Sequence, residues 1–338
     1  MRARAFGLVL GALVLGGIGP TPAAAGPALL FEPATGRVLY AEDPDHAWHP
    51  ASLTKIMTSY LAFEAVKAGR LKLDQAIPVS EKAHLQAPSK VGLPVGAEMT
   101  VDVAIRALIV KSANDVAIML AEAIAGSEEE FVKRMNETAR RLGMTSTRFA
   151  NPNGLPAPDQ VTTARDLARL ARAVVRDFPE HLAMWALPDV HVGKIKMRNH
   201  NALLRTLDGA DGIKTGFICD SGFNIVASAT REGRKLMAVV LGDVSGRERN
   251  IRAASLLEHG FQTWEWKQAL VPATLDSLPV AADAKPIQSV RHTVVSWNCG
   301  NAKRRVPVKK KVAPGGTAAK KAKPAPKAAT VRAEAANK

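Results

Sequence analysis

The sequence predicts an α+β fold, an antiparallel sheet flanked by helices with a helical lobe to one side, and three observations carry that reading. Short apolar and aromatic runs bracket the body of the chain: Ala28 to Phe31 and Arg37 to Tyr40 near its start, Phe223 to Ala229 and Leu236 to Leu241 near its end. Each pair is joined by a turn-forming tetrapeptide, Pro33-Ala34-Thr35-Gly36 and Arg231-Glu232-Gly233-Arg234, the pattern of a β-hairpin. Between the two pairs, apolar residues recur at helical spacing. Strands at both ends with helices inserted between them assemble as a sheet covered by helices.

The helical elements follow in order. After Ser52, Leu53, Ile56, Met57, Tyr60, Leu61 and Val66 fall at helical spacing and Gly69 closes the run, which puts Ser52 at or near a helix N-terminus. From Val101 to Gly143 the pattern is again helical, through Ile105, Leu108, Ile109, Val116, Met119, Leu120, Phe131, Met135, Ala139 and Leu142. Thr163 to Val175 continues it, with Leu167, Leu170, Ala171 and Val174 on one face and Asp166 in the first turn, where the helix dipole favours an acid. A last helix is predicted over roughly Arg249 to Thr263. The body, 26–268, has no internal repeat and the size of one domain. Pro272 to Val295 patterns weakly as strand, so 269–302 reads as a linker or a small appended module.

The two ends of the chain differ from the body. Arg2 and Arg4 precede an apolar run from Ala5 to Ile18 and a small-residue stretch ending at Ala25, the order of a secretory signal peptide cleaved after that alanine. The run has 14 residues, short of the roughly 20 that a membrane-spanning helix needs. The mature chain is therefore expected outside the cytoplasm. There Cys219 and Cys299 form either one disulfide or two inert thiols, a catalytic thiol lacking a nearby histidine pattern. Residues 303–338 consist mainly of Lys, Arg, Ala and Pro, with 12 basic residues and one acid, Glu334. Such a composition buries no core and reads as a disordered tail. It holds +11 of the net +15 and Arg2 with Arg4 another +2, so the folded body carries only +2 and no basic groove is implied. The tail reads as an electrostatic contact for anionic envelope surfaces or as a solvated spacer. A nucleic-acid partner is not expected.

Three short motifs carry chemistry. Of the fourteen serines, only Ser52 has a lysine three residues on, in Ser52-Leu53-Thr54-Lys55. Positions i and i+3 share a helix face, so the Lys55 amine lies beside the Ser52 hydroxyl. A serine hydroxyl attacks only when a base removes its proton, and a lysine is that base only when neutral, which burial and a second cation both favour. Ser112-Ala113-Asn114 sits in a stretch read as helical and offers a hydroxyl to relay a proton and an amide to hold a carbonyl, although Ser296-Trp297-Asn298 has the same pattern. Lys214-Thr215-Gly216 precedes the second hairpin. A cation, a hydroxyl and a glycine along a strand edge suit the backbone and terminal carboxylate of a peptide. No metal-ligand spacing occurs, and neither metal nor cofactor is expected.

These motifs, in this order, are the set found in penicillin-binding proteins and class A β-lactamases. From about Ala28 to Phe261 the chain resembles the low-molecular-mass penicillin-binding proteins, D-alanyl-D-alanine carboxypeptidases that are serine peptidases of the S11 type. The likeness includes Gly36-Arg37-Val38-Leu39-Tyr40, Pro50-Ala51-Ser52-Leu53-Thr54-Lys55-Ile56-Met57-Thr58, Phe149-Ala150-Asn151-Pro152-Asn153-Gly154-Leu155, Asn201-Ala202-Leu203-Leu204 and Asp211-Gly212-Ile213-Lys214-Thr215-Gly216. It implies a DD-peptidase or β-lactamase-like fold, peptidoglycan pentapeptide as substrate and β-lactams as covalent inhibitors. Residue by residue it implies Ser52 as acylated nucleophile, Lys55 as base, Ser112 and Asn114 as proton relay and substrate holder, and Lys214 and Thr215 as carboxylate ligands. Gly216 would let the substrate backbone approach, the amides of Ser52 and Phe217 would form the oxyanion hole, and Arg249, with Arg247 as its rival, would bind the carboxylate. A β-lactamase is disfavoured because the Glu-x-x-Leu-Asn deacylation signature is absent. An endopeptidase cutting cross-links shares the same nucleophile and base, and a wall-binding protein that holds peptide without cleaving it is disfavoured because every expected side chain is present.

Overall fold

A computed structural model describes residues 26–264, 273–296 and 299–300. The signal-peptide segment 1–25 and the basic tail 303–338 lie outside the described residues. In chain order come β1 (Ala28–Phe31), β2 (Val38–Glu42), a 3-10 turn (Ala51–Leu53), α1 (Thr54–Lys67), β3 (Ala76–Pro78), α2 (Glu81–His84) and β4 (Glu98–Thr100). The helical lobe follows as α3 (Val101–Val110), α4 (Asn114–Ala125), α5 (Glu128–Arg141) and α6 (Ala164–Asp177). A 3-10 stretch (Pro179–Ala186), β5 (Asp189–Val192), β6 (Ile195–Arg198) and α7 (Leu203–Thr206) lead to β7 (Ala210–Ile218), β8 (Gly222–Arg231), β9 (Arg234–Asp243) and α8 (Gly246–Gln262).

The main sheet is antiparallel with strand order β2-β1-β9-β8-β7, so the two hairpins read from the sequence meet through β1 and β9. Side chains alternate between its faces. Leu29, Phe31, Val226, Met237, Val239 and Leu241 join the core shared with the helical lobe. Ala28, Leu30, Ile225, Ala227, Leu236, Ala238 and Val240 pack on the other face against Ala253 and Leu257 of α8. Burial on both faces explains why β9 reads as an unbroken apolar run, without polar residues in alternation. The closest approach of α8 is at Gly260, where a Cβ would stand 2.7 Å from Leu236 Cδ1. A side chain there would make Leu236 and Leu30 shift.

Eleven of the fourteen residues of α1 are buried, among α3, α4, α5 and α6. A helix covered on every side belongs to the core. It therefore carries whatever polar residue it holds into the interior, which matters for Lys55.

Two boundaries differ from the sequence reading. The helical run from Val101 to Gly143 is three helices, broken at Ser112, whose φ is +60°, and at Gly126, whose φ is +81°. Apolar periodicity persists across both breaks, because the helices on either side bury the same face. Ser127 then restarts the chain as an N-cap, its hydroxyl accepting from Glu130 N at 3.1 Å. The last helix starts at Gly246, before Arg249, because Ser245 caps it through Glu248 N at 3.1 Å. This Ser-x-x-Glu start is polar and escapes a search for apolar spacing.

Residues 273–296 run along the body as a strap. The Arg165 guanidinium forms a two-pronged pair with the Asp45 carboxylate at 2.6 and 2.8 Å and donates to the strap carbonyls of Leu275, Leu278 and Pro279 at 3.1, 2.7 and 2.9 Å. Both side chains of the pair are nearly buried, at 3% and 9% exposure. Removing one partner of such a pair strands the other charge and typically costs about 3–5 kcal/mol. Arg165→Ala is expected to lose stability on that scale in denaturant unfolding, whereas Arg176→Ala, whose side chain is 62% exposed, should lose under about 1 kcal/mol.

Candidate active site

Ser52 lies in the 3-10 turn that leads into α1, and two glycines let the neighbouring chain close on that turn. A Cβ on Gly154, whose φ is +80°, would sit 1.9 Å from Ala51 O. A Cβ on Gly216 of β7 would sit 3.0 Å from Pro50 O and 3.1 Å from Ser52 N. The serine is thus held between the loop around Gly154 and the free edge of the sheet, and the backbone at Gly216 and Phe217 runs beside the Ser52 amide. Phe217 stacks on Phe223 of β8, ring centroids 4.2 Å apart.

At the second residue of α1, Lys55 is fully buried. Its Nζ lies 3.0 Å from Ser52 Oγ and 2.7 Å from Asn114 Oδ1, and it also meets the carbonyl oxygen of Asn153. Burial first, and then the charge of Lys214, hold this amine well below the ordinary lysine range, with Asp115 opposing. The neutral amine has two N–H groups and one lone pair. With Asn114 Oδ1 and Asn153 O taking the two hydrogens, the lone pair is left for the Ser52 hydroxyl, the arrangement a base requires.

Ser112 occupies the break between α3 and α4 in a left-handed backbone conformation. The sequence reading put this motif inside a helix, whereas Ser112 and Ala113 precede the first turn of α4. The Ser112 hydroxyl is buried and has no hydrogen-bond partner among the described residues. Leaving such a group unpaired costs about 1–3 kcal/mol, and strained, unpaired polar groups of this kind cluster at functional sites. Asn114 opens α4. Its amide donates to Ala87 O at 2.8 Å while Oδ1 holds Lys55, which leaves one N–H free for a ligand.

Lys214 and Thr215 come from β7 and are both buried. The Lys214 amine donates to Thr215 O at 3.2 Å, and burial followed by the charge of Arg249 lowers its pKa to about 7. Arg249, on the first turn of α8, is buried beside the cleft with its guanidinium on Asn250 Oδ1 at 2.8 Å, whereas Arg247 is exposed and does not line it. Burial brings Arg249 down to about 10 against the opposing charge of Asp243. Lys55, Lys214 and Arg249 form no ion pair with a carboxylate among the described residues. The cleft that Arg249 borders has a volume of about 650 Å³ and opens on Ser52, Ser112, Asn114, Thr215, Gly216 and Phe217. A nucleophile in contact with a buried lysine of lowered proton affinity, an unpaired hydroxyl and a buried arginine come together at one cavity, which suits acyl transfer.

The model of the S11 peptidases, D-alanyl-D-alanine carboxypeptidase, matches residues 18–245. The chain belongs to this family. It is 38% identical over 251 residues to the D-alanyl-D-alanine carboxypeptidase DacC of Escherichia coli K12, covering 72% of this chain and 63% of that protein. The chain thus spans less than two thirds of the length of such curated relatives. Penicillin-binding protein 5 from Haemophilus influenzae superposes with a TM-score of 0.68 at 35% identity, over 73% of each chain. Penicillin-binding protein D2 from Listeria monocytogenes, in its cefotaxime-bound form, superposes with a TM-score of 0.64 at 32% identity, over 70% of this chain and 97% of that one. The DD-peptidase fold expected from the motifs is the fold of this S11 peptidase.

Two cleft residues were not singled out in the sequence. Asn153 acts through its backbone carbonyl, and its side-chain amide donates to Gln86 Oε1 at 2.9 Å. A carbonyl leaves no signature in the side-chain pattern, although the Gly154 that shapes its loop does. His200 lines the cleft as well, and crowding by its walls, then Lys214 and Lys111, lower its pKa. Among the described residues no group of three or more His, Cys, Asp or Glu converges to hold a metal ion.

Because Gly154 combines a left-handed backbone with a contact that no Cβ fits, Gly154→Ala is expected to cost about 2 kcal/mol or more in denaturant unfolding. Gly69→Ala shares the left-handed strain but has open space around it, and should cost less.

Proposed function

We propose that the protein is a serine-type D-alanyl-D-alanine carboxypeptidase that removes the terminal D-alanine from peptidoglycan stem peptides through a Ser52 acyl-enzyme, and that β-lactams acylate the same serine. The observation that carries this is the buried Lys55 amine 3.0 Å from Ser52 Oγ, kept short of protons by burial and a second buried lysine. In the reaction, Lys55 takes the hydroxyl proton as Ser52 Oγ attacks the penultimate carbonyl carbon. The backbone amides of Ser52 and Phe217 face the oxygen on which charge develops, each worth about 3 kcal/mol. The proton passes from Lys55 through the Ser112 hydroxyl to the departing amine, and the C–N bond breaks to free D-alanine. Water, deprotonated by the same base, then cleaves the ester and restores Ser52.

Lys214, Thr215 and Arg249 hold the terminal carboxylate, which pairs the buried cations with the one group that only an exopeptidase substrate presents. The free N–H of Asn114 holds the substrate carbonyl, and the edge of β7 at Gly216 lies along the peptide backbone. We place the catalytic domain at 26–268 and the protein outside the cytoplasm, and the Cys219–Cys299 disulfide suits that compartment. No helix among the described residues is long and apolar enough to cross a membrane.

Ser52→Ala is expected to abolish D-alanine release from a peptide ending in D-alanyl-D-alanine, a loss of at least ~10⁴-fold, and to leave no penicillin adduct while the fold is retained. Penicillin acylation of Ser52 without D-alanine release, together with cleavage of a cross-linked peptide, would transfer the assignment to an endopeptidase.

The pH profile has a sign of its own. Lys55 must lose its proton to act and Lys214 must keep its own to hold a carboxylate, so kcat/KM should rise with Lys55 deprotonation and fall again as pH passes about 7. The two amines repel, so the limbs belong to the pair. Lys214→Arg is expected to move the alkaline limb upward. An alkaline limb unmoved by that substitution would show that Lys214 does not set it.

A further inference from the structure

Asp115 follows the motif residues Ser112 and Asn114 into α4, and it is 3% exposed. No step of the reaction described above uses it. A buried carboxylate ordinarily needs a cation, yet the bonds this one accepts come from backbone amides: Val91 N at 3.1 Å and Val116 N at 2.9 Å on Oδ1, and Gly92 N at 2.8 Å on Oδ2. Bonds to an ionised acceptor are roughly twice as strong as neutral ones. Those from Val91 and Gly92 tie a separate part of the chain to α4.

That part is 85–97, which joins α2 to β4 without helix or strand. Apolar packing holds it weakly, since Val91, Leu93 and Ala97 are only partly buried against the core while Leu85 and Val95 are 72% and 55% exposed. Polar bonds to the start of α4 hold it better. Asn114 N donates to Ser89 O at 2.7 Å, Asn114 Nδ2 to Ala87 O at 2.8 Å and Ser89 Oγ to Lys111 O at 2.9 Å. Pro88 and Ser89 line the cleft. Past them the chain turns at Gly92, whose φ is +81°, and this is the turn whose amides Asp115 accepts. The cleft wall is thus held at one end by Asn114 and at the other by Asp115.

We propose that Asp115 is a positioning residue of the cleft, whose carboxylate pins the turn at Val91 and Gly92 and thereby seats the Pro88–Ser89 wall beside Asn114. The pin does not depend on the chemistry at Ser52, whereas its effect on turnover rests on the carboxypeptidase reading above. A second consequence is electrostatic. Of the charged groups that face Lys55, Lys214 on β7 lowers its proton affinity and Asp115 on α4 raises it, both acting on top of burial. Removing the Asp115 charge removes the opposing influence, so Lys55 gives up its proton at lower pH.

The test compares the chain 26–338 with its Asp115→Asn variant, in which an N–H donor replaces one acceptor oxygen and faces a backbone donor. Trypsin cleavage after Lys90, whose amine donates to His84 O at 2.7 Å, is expected to quicken by at least ~10-fold, with cleavage after Lys194 in the turn between β5 and β6 unchanged. For a peptide ending in D-alanyl-D-alanine, KM should rise ~5-fold or more while kcat stays within about threefold, since a displaced wall is lost to bound substrate and transition state alike. The acid limb of kcat/KM should move down by about half a pH unit, which loosened packing alone would not produce. Quickened cleavage after Lys90 with KM, kcat and the limb unchanged would confine Asp115 to the fold and overturn its role in the cleft. In the unsubstituted chain, the Val91 and Gly92 amides should exchange with solvent at least ~10-fold more slowly than that of the exposed Val95. Equal rates would overturn the pin itself, whether or not the variant folds. Cleavage and exchange need no substrate, so they judge the pin even where D-alanine release fails.

Discussion

The burial of the Lys55 amine is the constraint on which the site depends. An ammonium taken out of water without a carboxylate partner is costly, and that cost lowers the proton affinity of the amine. That effect requires a helix covered on every side, and α1 is one: α3, α4, α5 and α6 surround it. It also requires acceptors for the two remaining hydrogens, which Asn114 and the Asn153 carbonyl supply. The helical lobe therefore serves as the dry enclosure that makes a lysine basic toward serine.

The sheet supplies the other half of the site. Its edge strand, β7, pairs with β8 alone among the described residues and runs past the Ser52 turn at a distance set by Gly216. An unprotected edge is ordinarily an invitation to pair with another chain. Here it is confined by the Ser52 turn on one side and fastened at its far end through Cys219. The same strand carries Lys214 and Thr215, so the proposed contacts to substrate backbone and terminus would come from one element.

What the sequence revealed and what it hid divide along physical lines. Ser52 and Lys55 were legible because both lie within one helical turn, where spacing fixes geometry. Both hairpins were legible from their turn residues. The break at Ser112 was not, because α3 and α4 bury the same kind of face and periodicity runs through the gap. Arg249 could not be told from Arg247 by pattern, and the start of α8 at Ser245 decides it by turning one inward and the other outward. The pairing of Cys219 with Cys299 depends on the path of the strap, an earlier part of which is held by Arg165 and Asp45. Such long-range closure has no local signature.

The two buried lysines also make substrate binding and base strength dependent on each other. While Lys214 is charged and unpaired, its field adds to burial in lowering the proton affinity of Lys55. A terminal carboxylate seated on Lys214 cancels that field, which raises the proton affinity of Lys55 at the moment a proton must be drawn from Ser52. A ligand without a carboxylate would leave Lys214 uncompensated and Lys55 a weaker base. Carboxylate recognition then contributes to the chemical step as well as to affinity, since the interaction strengthens as the proton moves onto Lys55.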